Sequence, residues 1–163
     1  MVRIWTLIVA MLVAGAAAAD ELPRRKSGLW SMSVTMPGTS VPLTMQQCVD
    51  EKTDDITATA ADKSKVCRSQ TKRTGDRLAF DTVCKQGKTT STTRGVFVGD
   101  FKSGYTVEST TRFDPPMPGM REGVTKAAGQ WAGPCLATMK PGDVVMSNGT
   151  RFNVNDYKAA KKK

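Results

Sequence analysis

The chain has four cysteines, Cys48, Cys67, Cys84 and Cys135, and no histidine. No two of them form a C-x-x-C pair, the spacing used by redox dithiols and zinc knuckles, and no histidine is present to complete a mixed metal site. An even number of widely spaced cysteines then reads as two disulfides, which persist in oxidising compartments. Two such staples confine the fold to topologies that bring these four positions together in pairs.

The N-terminus supplies a route to an oxidising compartment. Arg3 precedes the apolar run Ile4–Val13, which gives way to alanines ending in Ala17-Ala18-Ala19 before Asp20. These are the n-region, h-region and small-residue cleavage site of a secretory signal peptide, with cleavage expected between Ala19 and Asp20. The strongly apolar run of about ten residues falls short of the roughly 20 that span a bilayer. No cysteine follows it for lipid attachment. The expected organisation is a signal peptide over 1–19, one disulfide-bonded β-rich domain over 20–157 and a basic flexible tail over 158–163, with no transmembrane segment after cleavage.

Alternation of apolar and polar residues carries the fold class. Trp30, Met32, Val34 and Met36 share one side of a strand, and Val41, Leu43 and Met45 resume the alternation after the turn residues Pro37-Gly38-Thr39-Ser40. Strands are expected at Val66–Arg73 and Arg77–Cys84 around Gly75, at Lys88–Val98 and from Tyr105 to Phe113, and at Val124–Trp131, with short apolar segments near Val144 and Phe152. Acids followed by alanines over Val49–Ala61 predict one short helix. Pro115-Pro116-Met117-Pro118-Gly119-Met120 reads as a surface loop, because proline removes a ladder donor. Sequential hairpins with short turns point to a mainly β fold, a single curved antiparallel meander sheet or incomplete barrel of six to eight strands.

Three disulfide connectivities are open. Cys67 and Cys84 lie equidistant from the Thr74-Gly75-Asp76 turn and would face each other directly across a hairpin, an uncommon arrangement. The favoured pairing is therefore Cys48 with Cys67 and Cys84 with Cys135. Chain-entropy arithmetic assigns about 3 kcal/mol to the shorter loop and about 4 kcal/mol to the longer.

Without histidine the commonest general base and most catalytic triads are excluded. The adjacent carboxylates Asp50 and Glu51, or Asp54 and Asp55, suit a solvated helix start better than the two acids across a cleft that glycosidases need. Ser64-Lys65 and Lys102-Ser103 offer a serine–lysine dyad without motif context. Gly99–Gly104 lacks the Lys-Ser/Thr ending of a phosphate loop. Met32 with Met36, and Met117 with Met120, are thioethers of the kind that suit Cu(I), although the first pair shares an apolar strand face where core packing explains it. Asn148-Gly149-Thr150 matches a glycosylation acceptor and equally an ordinary turn. The reading is of a non-enzyme that needs no metal or cofactor, a histidine-free hydrolase being the lesser alternative.

Lys26-Ser27-Gly28-Leu29-Trp30, Gln47-Cys48 followed by an acidic stretch, the spaced Cys67 and Cys84, and Gly133-Pro134-Cys135 together resemble an exported bacterial family, domain-of-unknown-function family 3617. The resemblance spans Lys26 to Cys135. It implies a place in the envelope of Gram-negative bacteria, hence the periplasm, and a cysteine framework; it implies no activity and no site residues.

Two functions are compatible with these features. A curved sheet holds ligands on its concave face, and Trp30, Met32, Val34, Leu78, Phe80, Tyr105 and Val107 would line a groove for a lipid or other amphiphile; the same residues also suit a closed core. The net charge is +9 and favours anionic partners. Arg68, Lys72, Arg73 and Arg77, helped by the lysine tail, would form a basic face for an acidic protein, a cell-wall polymer or another anionic envelope component. Aromatics make up only 6% of the chain, too few for the stacking platforms of single-strand binders, and no nucleic-acid partner is expected.

Overall fold

A computed structural model of the chain describes residues 23–52, 54, 56 and 66–156. The expected signal peptide with its cleavage site, the lysine tail and Ser64-Lys65 lie outside the described residues. Nine strands follow one another: β1 (Gly28–Thr35), β2 (Leu43–Val49), β3 (Cys67–Thr74), β4 (Arg77–Gln86), β5 (Thr89–Gly99), β6 (Gly104–Met117), β7 (Met120–Gly133), β8 (Asp143–Met146) and β9 (Arg151–Asn153). They form one antiparallel sheet in the order β3-β4-β5-β6-β7-β1-β2-β8-β9, left open between β3 and β9. The count exceeds the expected six to eight because β8 and β9, of four and three residues, are too short to display alternation.

Strands β3 to β7 are a run of hairpins, as the turns at Gly75 and Gly87 and the loop at Gly99–Gly104 dictate. The departure from a plain meander is β1, which pairs with β7 as well as with β2. The β1–β2 hairpin is thereby placed beyond β7, and the chain must cross from β2 to the far edge to begin β3. Ile56, on that crossing, is 6% exposed and packs with Leu78, Phe80, Phe97 and Phe101.

This crossing is where one short helix was expected, over Val49–Ala61. Val49 instead ends β2, and the described residues after it form a turn in which the Asp54 N–H donates to the Asp50 carbonyl at 2.8 Å. The acids that resembled a helix start serve to tie the crossing down, and the remainder of the segment lies outside the described residues. Among the described residues helix is confined to 154–156.

The proline loop is also corrected. Pro115 and Pro116 belong to β6, whose register with β7 shifts between Arg112 and Met117. The last β5–β6 pair is Thr90 with Asp114, so both prolines occupy an irregular, unpaired stretch in which a missing N–H costs no ladder bond.

The disulfides are Cys48–Cys135 and Cys67–Cys84, not the favoured pairing. Cys67 and Cys84 do stand directly opposite, with Cα atoms 4.1 Å apart. The Lys85 N–H donates to the Val66 carbonyl at 3.1 Å, which makes Cys67 and Cys84 the adjacent non-hydrogen-bonded pair, where opposing side chains come closest. The geometric objection therefore fails at this site. Cys48 is carried by β2 to a second cluster with Leu29 and Met139, under the segment that joins β7 to β8 and bears Cys135.

The β5–β6 loop contributes an unforeseen core residue. The Asp100 carboxylate accepts hydrogen bonds from the N–H groups of Lys102, Ser103 and Gly104 and from the Ser103 hydroxyl. That cap holds Phe101 at φ 57°, a backbone state unusual for a bulky side chain. The Phe101 ring is thus turned inward, stacked on Tyr105 with centroids 5.5 Å apart and only 2% exposed.

Non-reducing peptide mapping will recover Cys48 linked to Cys135 and Cys67 linked to Cys84. Replacing the first pair by alanine will cost more stability than replacing the second, about 4.6 against about 3 kcal/mol by loop entropy, because their sequence separations are 87 and 17. The hydrogen bonds from Ser103, Lys102 and Gly104 hold the Asp100 pKa well below the usual carboxylate range. The unfolded chain then takes up the proton first as pH falls, so the cap stabilises the fold above the ordinary carboxylate pKa, near 4, and loses its effect as pH falls through the lowered value. Asp100→Ala will melt below the parent at pH 7, and the gap will close on acidification below about pH 4; a gap independent of pH would refute the cap.

Candidate functional site

Strand register sorts the sheet into two faces of different chemistry. On the inward face, Leu78, Phe97, Val107, Ala127, Val34 and Leu43 form one row across β4, β5, β6, β7, β1 and β2. Tyr105, Gly129, Met32, Met45 and Met146 form the next row. Toward the other strand ends the rows turn to hydroxyls: Phe80, Gly95, Ser109 and Thr125, then Thr82, Thr93 and Thr111. Outward positions carry the charges instead, paired across strands as Arg94 with Asp81, Lys126 with Glu108 and Arg112 with Glu122.

Glycine lets two rings lie flat on the inward face. A β-carbon on Gly95 would stand 2.5 Å from the Phe80 ring, and one on Gly129 would stand 2.6 Å from the Tyr105 ring. Both aromatics therefore cover bare backbone on the neighbouring strand and leave the space above them open.

That space is a cavity of about 630 Å³ lined by β1, β2, β4, β5, β6, β7, β8 and β9, within the range of small-molecule sites. Every strand residue that lines it is uncharged: Met32, Val34, Met45, Phe80, Phe97, Tyr105, Val107, Val144 and Phe152 supply most of the apolar wall, and Thr93, Ser109, Thr111 and Thr125 the hydroxyls. The charged liners, Arg25, Asp50 and Asp54, all lie outside the strands.

Arg25 and Asp54 neutralise each other at the deep end. Arg25 donates from Nη2 to Asp54 Oδ1 at 2.7 Å and from Nε to Oδ2 at 3.2 Å, and its backbone N–H also donates to Oδ2. Nη1 donates to Gln47 Oε1 at 3.1 Å and lies 3.3 Å from Met32 Sδ, which also receives the Tyr105 hydroxyl. Side-chain exposure is 7% for Arg25 and 4% for Asp54. Burial acts to lower the Arg25 pKa, but the hydrogen bond to Asp54 and the electrostatic influence of Tyr105 and Asp54 outweigh it, and the balance is upward. Burial pushes the Tyr105 phenol up against the opposing influence of Arg25. The phenol stays protonated at neutral pH.

Of the seven residues assigned to a groove from sequence, Met32, Val34, Phe80, Tyr105 and Val107 line the cavity. Trp30 and Leu78 lie beneath it, 0% and 1% exposed. The Trp30 indole donates to the Lys26 carbonyl at 2.8 Å and packs on Tyr105. Sequence reasoning missed Phe97, Met45, Val144 and Phe152 as liners; Phe97 and Met45 lay on recognised strands, and only register shows which face they share. It also missed Arg25 and Asp54, which meet only because the crossing returns over the N-terminal segment.

The basic residues divide. Arg68, Lys72 and Arg77 stand on the outward face of the β3–β4 hairpin, whereas Arg73 pairs with Leu78 in register and falls on the inward side. Asp54 is committed to Arg25, and Asp55 lies outside the described residues. Ser103 donates to the Asp100 carboxylate beside Lys102. Met32 is inward while Met36 is 52% exposed, and Met117 faces Met120 across the β6–β7 turn. Asn148 accepts from the Thr150 N–H in the β8–β9 turn.

Breaking the ion pair by Asp54→Ala will leave a buried guanidinium uncompensated and lower unfolding free energy by about 3–5 kcal/mol. Replacing both partners, Arg25→Met with Asp54→Leu, will recover most of that loss in the same denaturant titration. Equal losses in the single and double variants would show that the pair does not act as a unit.

The residues that opened the resemblance have structural tasks at the β7–β1 seam. Gly28 is at φ 135°, and a side chain there would collide with the Gly133 carbonyl and the Trp131 indole nitrogen. Trp131 donates to the Ser27 carbonyl, and the Lys26 ammonium sits 3.6 Å from its ring centroid. Comparison with curated proteins finds no match, and comparison with solved structures finds none. A family model, described as Protein of unknown function (DUF3617), matches residues 25–135, from the buried Arg25 to Cys135. That span is more than half of the chain, and the protein belongs to this family.

Proposed function

We propose that this chain is an exported, periplasmic, non-enzymatic binding module that holds an amphiphile on the inward face of its sheet. The observation that carries the reading is the 630 Å³ cavity, whose strand-borne lining is wholly uncharged and mainly apolar. Apolar liners contribute about 25 cal/mol for each Å² of ligand surface they remove from water, while a few hydroxyls orient the ligand without demanding a charged partner. The signal-peptide pattern of residues 1–19 and the two disulfides support a compartment outside the cytoplasm. An envelope supplies amphiphiles in abundance.

Docking of an acidic protein or polymer through a basic face is the weaker reading. Arg73 is separated from Arg68, Lys72 and Arg77 by the sheet itself, and the outward arginines and lysine of β5–β7 are paired with acids.

Native mass spectrometry of the full chain, expressed with its leader and isolated from the periplasm of a Gram-negative host, tests the proposal. The expected spectrum shows a polypeptide beginning at Asp20 with a bound amphiphile that collisional activation releases. The neutral probe N-phenyl-1-naphthylamine will fluoresce on binding to delipidated protein. An apo mass together with a silent probe would overturn the binding reading, and a polypeptide retained in the cytoplasm with residues 1–19 intact would overturn export.

A further inference from the structure

The lining of the cavity is graded, and the gradient specifies which end of an amphiphile goes where. One half, at the Met32, Met45 and Val144 rows, has methionine and valine walls and is closed at its deep end by the mutually bonded Arg25–Asp54 pair and Gln47; the other, reached along β5, β6 and β7, presents Thr93, Ser109, Thr111 and Thr125. We infer that the ligand carries an uncharged, hydroxyl-bearing head, such as a sugar or polyol, seated on this hydroxyl strip, with its tail on the methionine-rich half. The inference rests on the cavity being a ligand site and adds the chemical class of the head.

Three observations converge on it. Thr93 and Thr111 bond each other at 2.9 Å, either hydroxyl serving as donor. The Ser109 and Thr125 hydroxyls make no hydrogen bond among the described residues, and no buried side-chain polar atom of those residues lacks a partner. These two hydroxyls are therefore accessible rather than sealed in the sheet. A hydroxyl both donates and accepts, so a row of Ser and Thr matches a polyol, whose groups do the same.

A charged head finds no counterpart on the strand walls, and Asp50, a charged liner off the strands, accepts from the Lys52 N–H at 3.1 Å. The one guanidinium in the cavity spends Nε and Nη2 on Asp54 and Nη1 on Gln47 and Met32. Its charge is cancelled by Asp54, so it offers little to an anion, and Asp54 likewise offers little to a cation. Seating an unpaired charge on a neutral wall is far more costly than seating a hydroxyl. The net charge of +9 acts in the opposite direction, favouring anions at long range, which makes a preference for a neutral head diagnostic of the wall.

The test displaces N-phenyl-1-naphthylamine with three amphiphiles of identical tail, dodecyl maltoside, dodecanoate and dodecyltrimethylammonium, each below its micelle concentration. The expected result is displacement by the maltoside at concentrations at least about tenfold lower than by either charged analogue, equivalent to 1.4 kcal/mol. Ser109→Ala with Thr125→Val will weaken the maltoside by about tenfold relative to both charged analogues. A far-UV circular dichroism spectrum and melting temperature matching the parent show that the variant is folded. Equal displacement by all three heads, a preference for a charged head, or a variant with an undiminished maltoside preference would overturn the inference while leaving the amphiphile site standing. Failure of the probe and of every amphiphile to bind the parent protein would overturn both.

Discussion

A single open sheet has an apolar face and no second layer of its own to bury it against, and most of this molecule's features follow from that constraint. The described residues offer no packing helix. The sheet curls instead, so that residues from its two halves line one cavity, and the chain contributes separate covers where curling does not suffice. Ile56 descends from the crossing onto Phe80 and Phe97, Phe101 is turned in from the β5–β6 loop, and Arg25 with Asp54 closes the deep end. On the other face the segment after β7 lies over Leu29 and Cys48 and is bound there by Cys135. Each cover requires a local device: a bidentate ion pair, a carboxylate cap, a disulfide. Small inserts of this kind cannot fill a space as large as a helix would, and a cavity remains.

Segregation of charge keeps the strand-borne wall of that cavity neutral. Alternation places cross-strand acid–base pairs outward, where they are solvated and contribute little to stability, and leaves the inward rows from β4 through β7 to β1 to apolar, small and hydroxylic residues. The same alternation manages the open edges. Edge strand β3 carries Arg68 and Lys72 and is exposed for nearly its whole length, which discourages strand addition by charge. The opposite edge, β9, is only three residues long. Basic residues on β3 thus have a sufficient role in keeping the sheet from pairing with its neighbours.

Local rules made most of the strands legible from sequence. The hairpins around Gly75 and Gly99–Gly104 and the alternation from Trp30 to Val34 appear where the residue pattern places them. What the pattern could not convey was non-local. That β1 pairs with β7 is a choice of partner, and no property of Gly28–Thr35 names that partner. The disulfides turned on hydrogen-bond phase, since opposed cysteines are acceptable at one kind of pair and awkward at the other. The helix expected over Val49–Ala61 rested on acids that the structure uses differently: Asp54 belongs to Arg25, 29 residues earlier. Five of the seven groove residues reached the cavity because a period of two is enough to assign a face. Trp30 and Leu78 fell beneath it because periodicity assigns a side and not a depth.

The residues that mark the family sit apart from those that would choose a ligand. Gly28 permits the close seam with Gly133 and Trp131, Trp30 anchors the N-terminal segment through its indole, and Cys48 with Cys135 fixes the cover on the outer face. These are conditions for building the container. The cavity wall is written in different residues, chiefly methionines, threonines, serine and two glycines under rings, whose individual requirements are looser. A methionine can be exchanged for another apolar residue of similar volume, and a threonine whose hydroxyl faces open space for the equally β-branched valine, without disturbing a strand. On the proposed reading, substitution there would alter what the wall accepts while leaving the sheet intact. The seam residues of this chain set the container, and the proposed head-group preference rests on its inward rows.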